Sequence, residues 1–190
     1  MKKIGVFSGS FNPIHIGHLA LANWLCEYVE LDEIWFIVTP LNPLKDKDEL
    51  MDYEARFNMV KAAIDGYPKF KVSDIECSLP LPSYTIDTLH ALRQIYPNYL
   101  FHLIIGADSW ANIHLWKDAE RLMREFPILI YPRKNYEQTD TPQWPHIRKV
   151  DAPLLEISSS YIRAAIREGK DIRFFLPETS RKLTNFFITE

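Results

Sequence analysis

The chain has 190 residues, enough to bury a sizeable core as one domain over residues 1–190 and too few for two of ordinary size. Hydrophobic residues make up 47% of it, which excludes a disordered chain, and 22 basic against 25 acidic residues give a net charge of −3. That balance advertises neither a nucleic-acid nor a membrane surface, so any site for anions must concentrate positive charge locally. Cys26 and Cys77 stand far apart and in no metal-ligand spacing. They read as reduced, buried thiols of a cytoplasmic protein, and a strand beginning almost at the first residue leaves no room for a signal peptide. No apolar run approaches the length of a membrane span.

In chain order, residues 3–7 form a first apolar strand and residues 15–29 a helix. Between them runs Ser8-Gly9-Ser10-Phe11-Asn12-Pro13-Ile14-His15-Ile16-Gly17-His18-Leu19. A strand, a small-residue turn and a helix start let backbone N–H groups face a phosphate. His15 and His18, three apart, share one face at the positive end of that helix, where two donors suit a polyphosphate whose charge rises during reaction. Neither a Gly-x-Gly-x-x-Gly nor a Walker loop is present. The competing reading, two histidines that merely cap or pack a helix, fits a lone histidine better than this pair in this frame.

A second strand at 33–39 leads into a Pro- and Lys-rich loop at 40–51, whose prolines would carry Lys45 to a fixed place beyond the strand end. Lys45 reads either as a phosphate partner or as an exposed loop lysine. The helix at 53–65 has Phe57, Val60 and Ile64 on one face. After a strand at 69–75 and a loop at 76–84, Thr85 opens a helix at 85–96, either as its N-cap or as part of a carboxylate site. The strand at 100–105 runs into Gly106-Ala107-Asp108. There Gly106 allows close approach, and Asp108 takes a sugar hydroxyl or caps the next helix. Trp116 is a stacking candidate or a core tryptophan, with Trp110 competing for the same role.

A helix at 115–125, a strand at 127–131, a loop at 133–145 and a weak strand at 148–151 follow. Helices at 159–168 and 177–187 close the chain. Ser158 and Ser159 are ordinary caps, but Arg163 in the first turn is a cation at the positive helix end, which makes sense if an anion sits between it and the helix start. Alternating strands and helices predict an α/β fold, a Rossmann-like parallel sheet with helices on both faces and a helical C-terminal segment. Ligands in such sheets lie outside the carboxyl ends of the strands, where every motif above falls.

These blocks together resemble the bacterial nicotinate mononucleotide adenylyltransferases of the His-x-Gly-His nucleotidylyltransferase superfamily. The resemblance rests on Gly-Ser-Phe-Asn-Pro-Ile-His-Ile-Gly-His, Pro-Leu-Asn-Pro-Leu-Lys, Ser-Tyr-Thr-Ile-Asp-Thr-Leu, Ile-Gly-Ala-Asp, Ile-Ser-Ser-Ser-Tyr-Ile-Arg and Ile-Arg-Phe-Phe-Leu-Pro. It implies transfer of AMP from ATP to nicotinate mononucleotide, with pyrophosphate leaving. It also implies that His15, His18 and Arg163 are catalytic, and that Gly9, Ser10, Phe11, Gly106, Asp108, Arg133, Ser158 and Ser159 complete the ATP site. Lys45, Thr85, Trp116 and Lys117 would meet the acceptor. Mg²⁺ would arrive with ATP, held by phosphates and water rather than by protein ligands. Position 8 is Ser where the family commonly has a second glycine, and Lys117 stands where an aromatic residue is frequent. An amide, pantetheine or CTP-using relative, a silent nucleotide-binding module and a fragment of a class I aminoacyl-tRNA synthetase are the alternatives. A homo-oligomer is compatible with the sequence, which does not fix the oligomeric state.

Overall fold

Ile4, Val6, the run Ile34–Val38 and Leu103–Ile105 have no solvated face, as expected of strands buried on both sides of a parallel sheet. In the computed structural model, which describes residues 1–41, 50–136 and 144–181, they form its centre. The strands are β1 (Lys2–Gly9), β2 (Glu33–Val38), β3 (Phe70–Ser73), β4 (Tyr99–Gly106), β5 (Ile128–Tyr131) and β6 (Ile147–Lys149). All neighbours pair in parallel, in the order β3-β2-β1-β4-β5-β6. The order reverses between β1 and β4, so the crevice for a ligand opens at their carboxyl ends.

The two-residue period of the strands divides the core between the faces. Phe7, Ile34, Phe36 and Val38 pack against Leu25 and Cys26 of α1 (Ile16–Tyr28) and Met59 and Val60 of α2 (Tyr53–Ile64). Ile4, Val6, Trp35 and Ile37 pack on the other face with Ile86, Leu89 and Leu92 of α3 (Thr85–Ile95) and Leu122 of α5 (Ala119–Glu125). The doubly covered α/β sheet expected from the alternation is therefore the one observed. No helix among the described residues is long and apolar enough to cross a membrane.

Several expectations need correction. The helix expected at 115–125 is broken: α4 (Ala107–Ala111) and a 3₁₀ turn at Ile113–Leu115 precede it. Trp116 is then extended and Asp118 takes φ 50° before α5 begins. Thr85 is the first helical residue of α3, and Tyr84 holds the cap position. Arg163 lies beyond the first turn of α6 (Ser159–Arg167), at its fifth residue. Cys77 is exposed, not buried, because the 3₁₀ turn at Ile75–Ser78 sends Ile75 and Glu76 inward. Of the last helix, Glu178–Arg181 (α7) is described; most of the loops at 40–51 and 133–145 lies outside the described residues.

Candidate active site

The loop after β1 is held from beneath. Phe11 takes the left-handed φ of 45°, unfavourable for a residue with a side chain, and is buried edge-on to Phe7 at 5.8 Å and tilted against Phe36 at 5.6 Å. Its ring also meets His18 edge-on at 5.1 Å, so Phe11 supports a histidine from the core side. The buried Ser10 hydroxyl has no hydrogen-bond partner among the described residues, an open donor in the loop.

His15 is the N-cap of α1, and its backbone N–H donates to Nδ1 of His18 at 3.3 Å. With Nδ1 accepting, Nε2 is the ring nitrogen through which His18 donates. The two imidazoles stack with centroids 3.7 Å apart. Gly17 makes room for them: a Cβ there would lie 3.0 Å from Nδ1 of His15. Burial, helped by the charge of Arg133, lowers the His15 pKa to about 4, so the ring is neutral near pH 7.

From α6, Ser159 Oγ donates to the Pro13 carbonyl at 2.9 Å and Arg163 Nη1 to the Asn12 carbonyl at 2.9 Å. Ser159 and Arg163, four apart on α6, thus meet the histidine loop together. Ser158 is the cap itself, its hydroxyl accepting from the Tyr161 N–H at 3.1 Å. On the other side of the crevice Arg133 donates to the Tyr131 hydroxyl at 3.0 Å, and its Nε lies 3.6 Å from Oδ1 of Asp108. Burial pushes the Tyr131 phenol up, so it stays protonated. Gly106 is tightly enclosed here: a Cβ would run into Asp108 Oδ1 and come within 3.1 Å of Arg133 Nε.

A cavity of about 300 Å³ leads away from Gly9, Gly106 and Tyr131 toward α3. Thr85, Trp116 and Lys117 line it; both Trp110 and Trp116 pack against the core on the α3 face of the sheet, and of the two Trp116 also lines the cavity. At the start of α3 the N–H groups of Asp87 and Thr88 return to the Tyr84 carbonyl, which leaves those of Thr85 and Ile86 as the outward donors of the helix end. Lys117 Nζ pairs with Asp87 at 2.9 Å and sits 4.7 Å from the Tyr84 ring centroid. Lys45 lies outside the described residues.

Sequence reasoning missed two buried charges. Arg56 of α2 is fully buried, with Nη1 donating to the carbonyls of Ser10 (2.7 Å) and Thr39 (2.8 Å), Nε to Met51 (2.9 Å) and Nη2 to Pro40 (3.2 Å). It fastens the histidine loop to both ends of the loop after β2, and Asn12 Oδ1 reinforces this by accepting from the Met51 N–H at 3.2 Å. A signal existed: Arg56 stands three and four residues before Met59 and Val60, on the buried stripe of α2. Glu76, within an expected loop, gave none.

A paired-histidine helix start at the switch point of a parallel sheet, beside a cavity ending at a second helix start, defines a nucleotide-transfer type of site. Consistently, the family model described as cytidylyltransferase-like matches residues 6–165. A Bacteroides fragilis protein named "probable nicotinate-nucleotide adenylyltransferase" is 53% identical over 92% of this chain and 87% of its own length. A Bacteroides thetaiotaomicron protein of the same name is 51% identical over 92% and 86%. The chain belongs to the nicotinate-nucleotide adenylyltransferase family. The Plasmodium falciparum nicotinic acid mononucleotide adenylyltransferase solved with NaAD superposes with a TM-score of 0.82, covering 98% of this chain and 96% of that one. At 22% identity that likeness is one of fold.

Proposed function

We propose that this protein transfers AMP from ATP to nicotinate mononucleotide, giving deamido-NAD and pyrophosphate. The observation that carries the reading is one cavity lined both by Gly9, where the histidine loop begins, and by Thr85, where α3 begins. That helix start, at the far end of the cavity, suits a carboxylate. Trp116 beside it offers a face for a pyridine ring. The relatives' shared name agrees with it.

An oxygen of the acceptor phosphate, already ionised near neutral pH, attacks the α-phosphorus in line with the departing pyrophosphate. No strong general base is needed, and catalysis is positioning plus charge stabilisation. His18 donates through Nε2–H, while neutral His15 and the open Ser10 hydroxyl add donors where negative charge builds. Arg163 and Ser159 hold the loop on which the triphosphate rests, with Arg163 supplying charge to the leaving group. Arg133 and Asp108 would flank the adenosine. Bound with ATP, Mg²⁺ would supply charge neutralisation to the phosphates, with phosphate oxygens and water as its ligands. The reading places the enzyme in the cytoplasm with its nucleotide substrates.

The test is pyrophosphate release with ATP and Mg²⁺, comparing nicotinate mononucleotide with its nicotinamide counterpart at matched concentrations. A strong preference for the acid is expected. Equal use of both would discard the Thr85 helix start as the source of selectivity, and no release with either would overturn the transferase reading.

A further inference from the structure

Glu76 is a carboxylate only 3% exposed that lines the acceptor cavity, and the chemistry above leaves it without a task. Ser83 Oγ donates to Oε2 (2.7 Å) and Ser8 Oγ to Oε1 (3.4 Å), while Thr88 Oγ1 shares its proton between Oε1 (2.9 Å) and the Tyr84 carbonyl (3.2 Å). Thr39 Oγ1 lies 3.2 Å from Ser8 Oγ. With the Ser8 proton turned to Glu76, Thr39 is the donor of that pair. Ser8, Thr39, Glu76 and Ser83 all line the cavity. An ionised carboxylate has no proton and a hydroxyl has one, so the groups these residues turn to the cavity are oxygen lone pairs. Glu76 thus converts a row of serine and threonine hydroxyls, otherwise free to donate or accept, into a surface that accepts only.

Such a surface repels anions and receives hydrogen-bond donors. On the reading proposed above, the acceptor brings a carboxylate, a pyridinium ring and an ionised phosphate, none of which carries an N–H or O–H. Its donors are the two hydroxyls of its ribose. The wall also has the right place. Ser8 precedes Gly9 of the histidine loop and Ser83 lies two residues before Thr85, so the wall stands between the ends where the phosphate and the pyridine carboxylate would bind. We infer that Ser8, Glu76 and Ser83 form the subsite for the ribose hydroxyls of the nucleotide acceptor, with Glu76 setting its polarity. The serine that replaces the family's usual second glycine at position 8 supplies one of its oxygens.

The experiment is a double-mutant cycle between protein and substrate. Wild type, Glu76→Gln and Ser83→Ala are assayed with nicotinate mononucleotide and with its 2′-deoxy and 3′-deoxy forms, each variant first being shown by thermal unfolding to be folded. Wild type should lose about tenfold in kcat/KM when a ribose hydroxyl is removed, the loss falling on KM for the acceptor. Glu76→Gln should lose about tenfold with the intact acceptor and almost nothing further with the deoxy form, because its amide turns a donor into the row. Ser83→Ala, which removes one small polar group, provides the same cycle should the buried Gln disturb folding. An undiminished deoxy penalty in both variants would overturn the subsite, as would coupling to 2′- or 3′-deoxy-ATP in place of the deoxy acceptors. Absence of turnover by wild type with the intact acceptor overturns the functional reading and the subsite together. Turnover without coupling overturns the subsite alone.

Discussion

Replacing Arg56 with methionine removes a buried cation while keeping most of the volume, and four backbone carbonyls lose their donor at once. That of Pro40 is only part-buried, and water can replace the guanidinium there. Those of Met51, Ser10 and Thr39 belong to buried residues, and each left unpaired costs about 1–3 kcal/mol. The guanidinium's own desolvation penalty, evident in burial lowering its pKa, is relieved by the change and offsets part of this. A net loss of about 3 kcal/mol remains, which for a chain of this size lowers Tm by about 6–12 °C. Arg56→Lys keeps the charge but cannot reach four carbonyls, so it should fall between the two. Thermal unfolding of the three proteins, followed by kinetics on the folded ones, is the assay. On the proposed reading Ser10 belongs to the ATP site and Thr39 lines the acceptor cavity, so kcat/KM should fall for both substrates. A methionine variant melting within about 2 °C of wild type would refute the claim that Arg56 fastens the two loops.

Further outcomes follow from the same geometry. His18→Ala should lower kcat by about 100- to 1000-fold with little change in Tm, since it removes a donor aimed at developing charge; equal damage to both would sink the assignment. His15 titrates near pH 4 when folded and near 6.5 when unfolded, so the unfolded chain takes up the proton first as pH falls. Its contribution to stability is complete above about pH 6.5 and lost toward pH 4, about 3 kcal/mol in all. Denaturant titrations of wild type and His15→Asn at pH 7, 5.5 and 4.5 should therefore converge at the acid end, and parallel curves would contradict the buried neutral ring. Gly106→Ala forces Asp108 or Arg133 aside. It should cost about 1–3 kcal/mol of stability and raise KM for ATP, both measurable on one preparation; an unchanged KM would remove these residues from the nucleotide site.

The local features were legible in the sequence because their physics is local. Apolar strand runs alternating with helical ones define a doubly covered parallel sheet, and the motifs fall just after its strands. His15 and His18 share a face because of helical spacing, and Ser159 and Arg163 meet one loop for the same reason. What failed also failed for physical reasons. The helix expected at 115–125 breaks because Asp118 adopts a left-handed φ that composition does not announce. Thr85 lost the cap to Tyr84, and Cys77 turned outward with its 3₁₀ turn.

Arg56 and Glu76 mark the boundary most clearly. A buried charge is tolerable only where distant groups satisfy it, and those groups lie far away in the chain: Ser10 and Thr39 for Arg56, Ser8 for Glu76. Sequence alone determined the fold class, the histidine helix start and the family, through short-range spacing and motif. The tertiary structure decided which charges are buried, which hydroxyls donate to Glu76, and that Gly9 of the histidine loop and Thr85 of α3 line one cavity. These depend on contacts between strands and loops that only the folded sheet brings within hydrogen-bond distance.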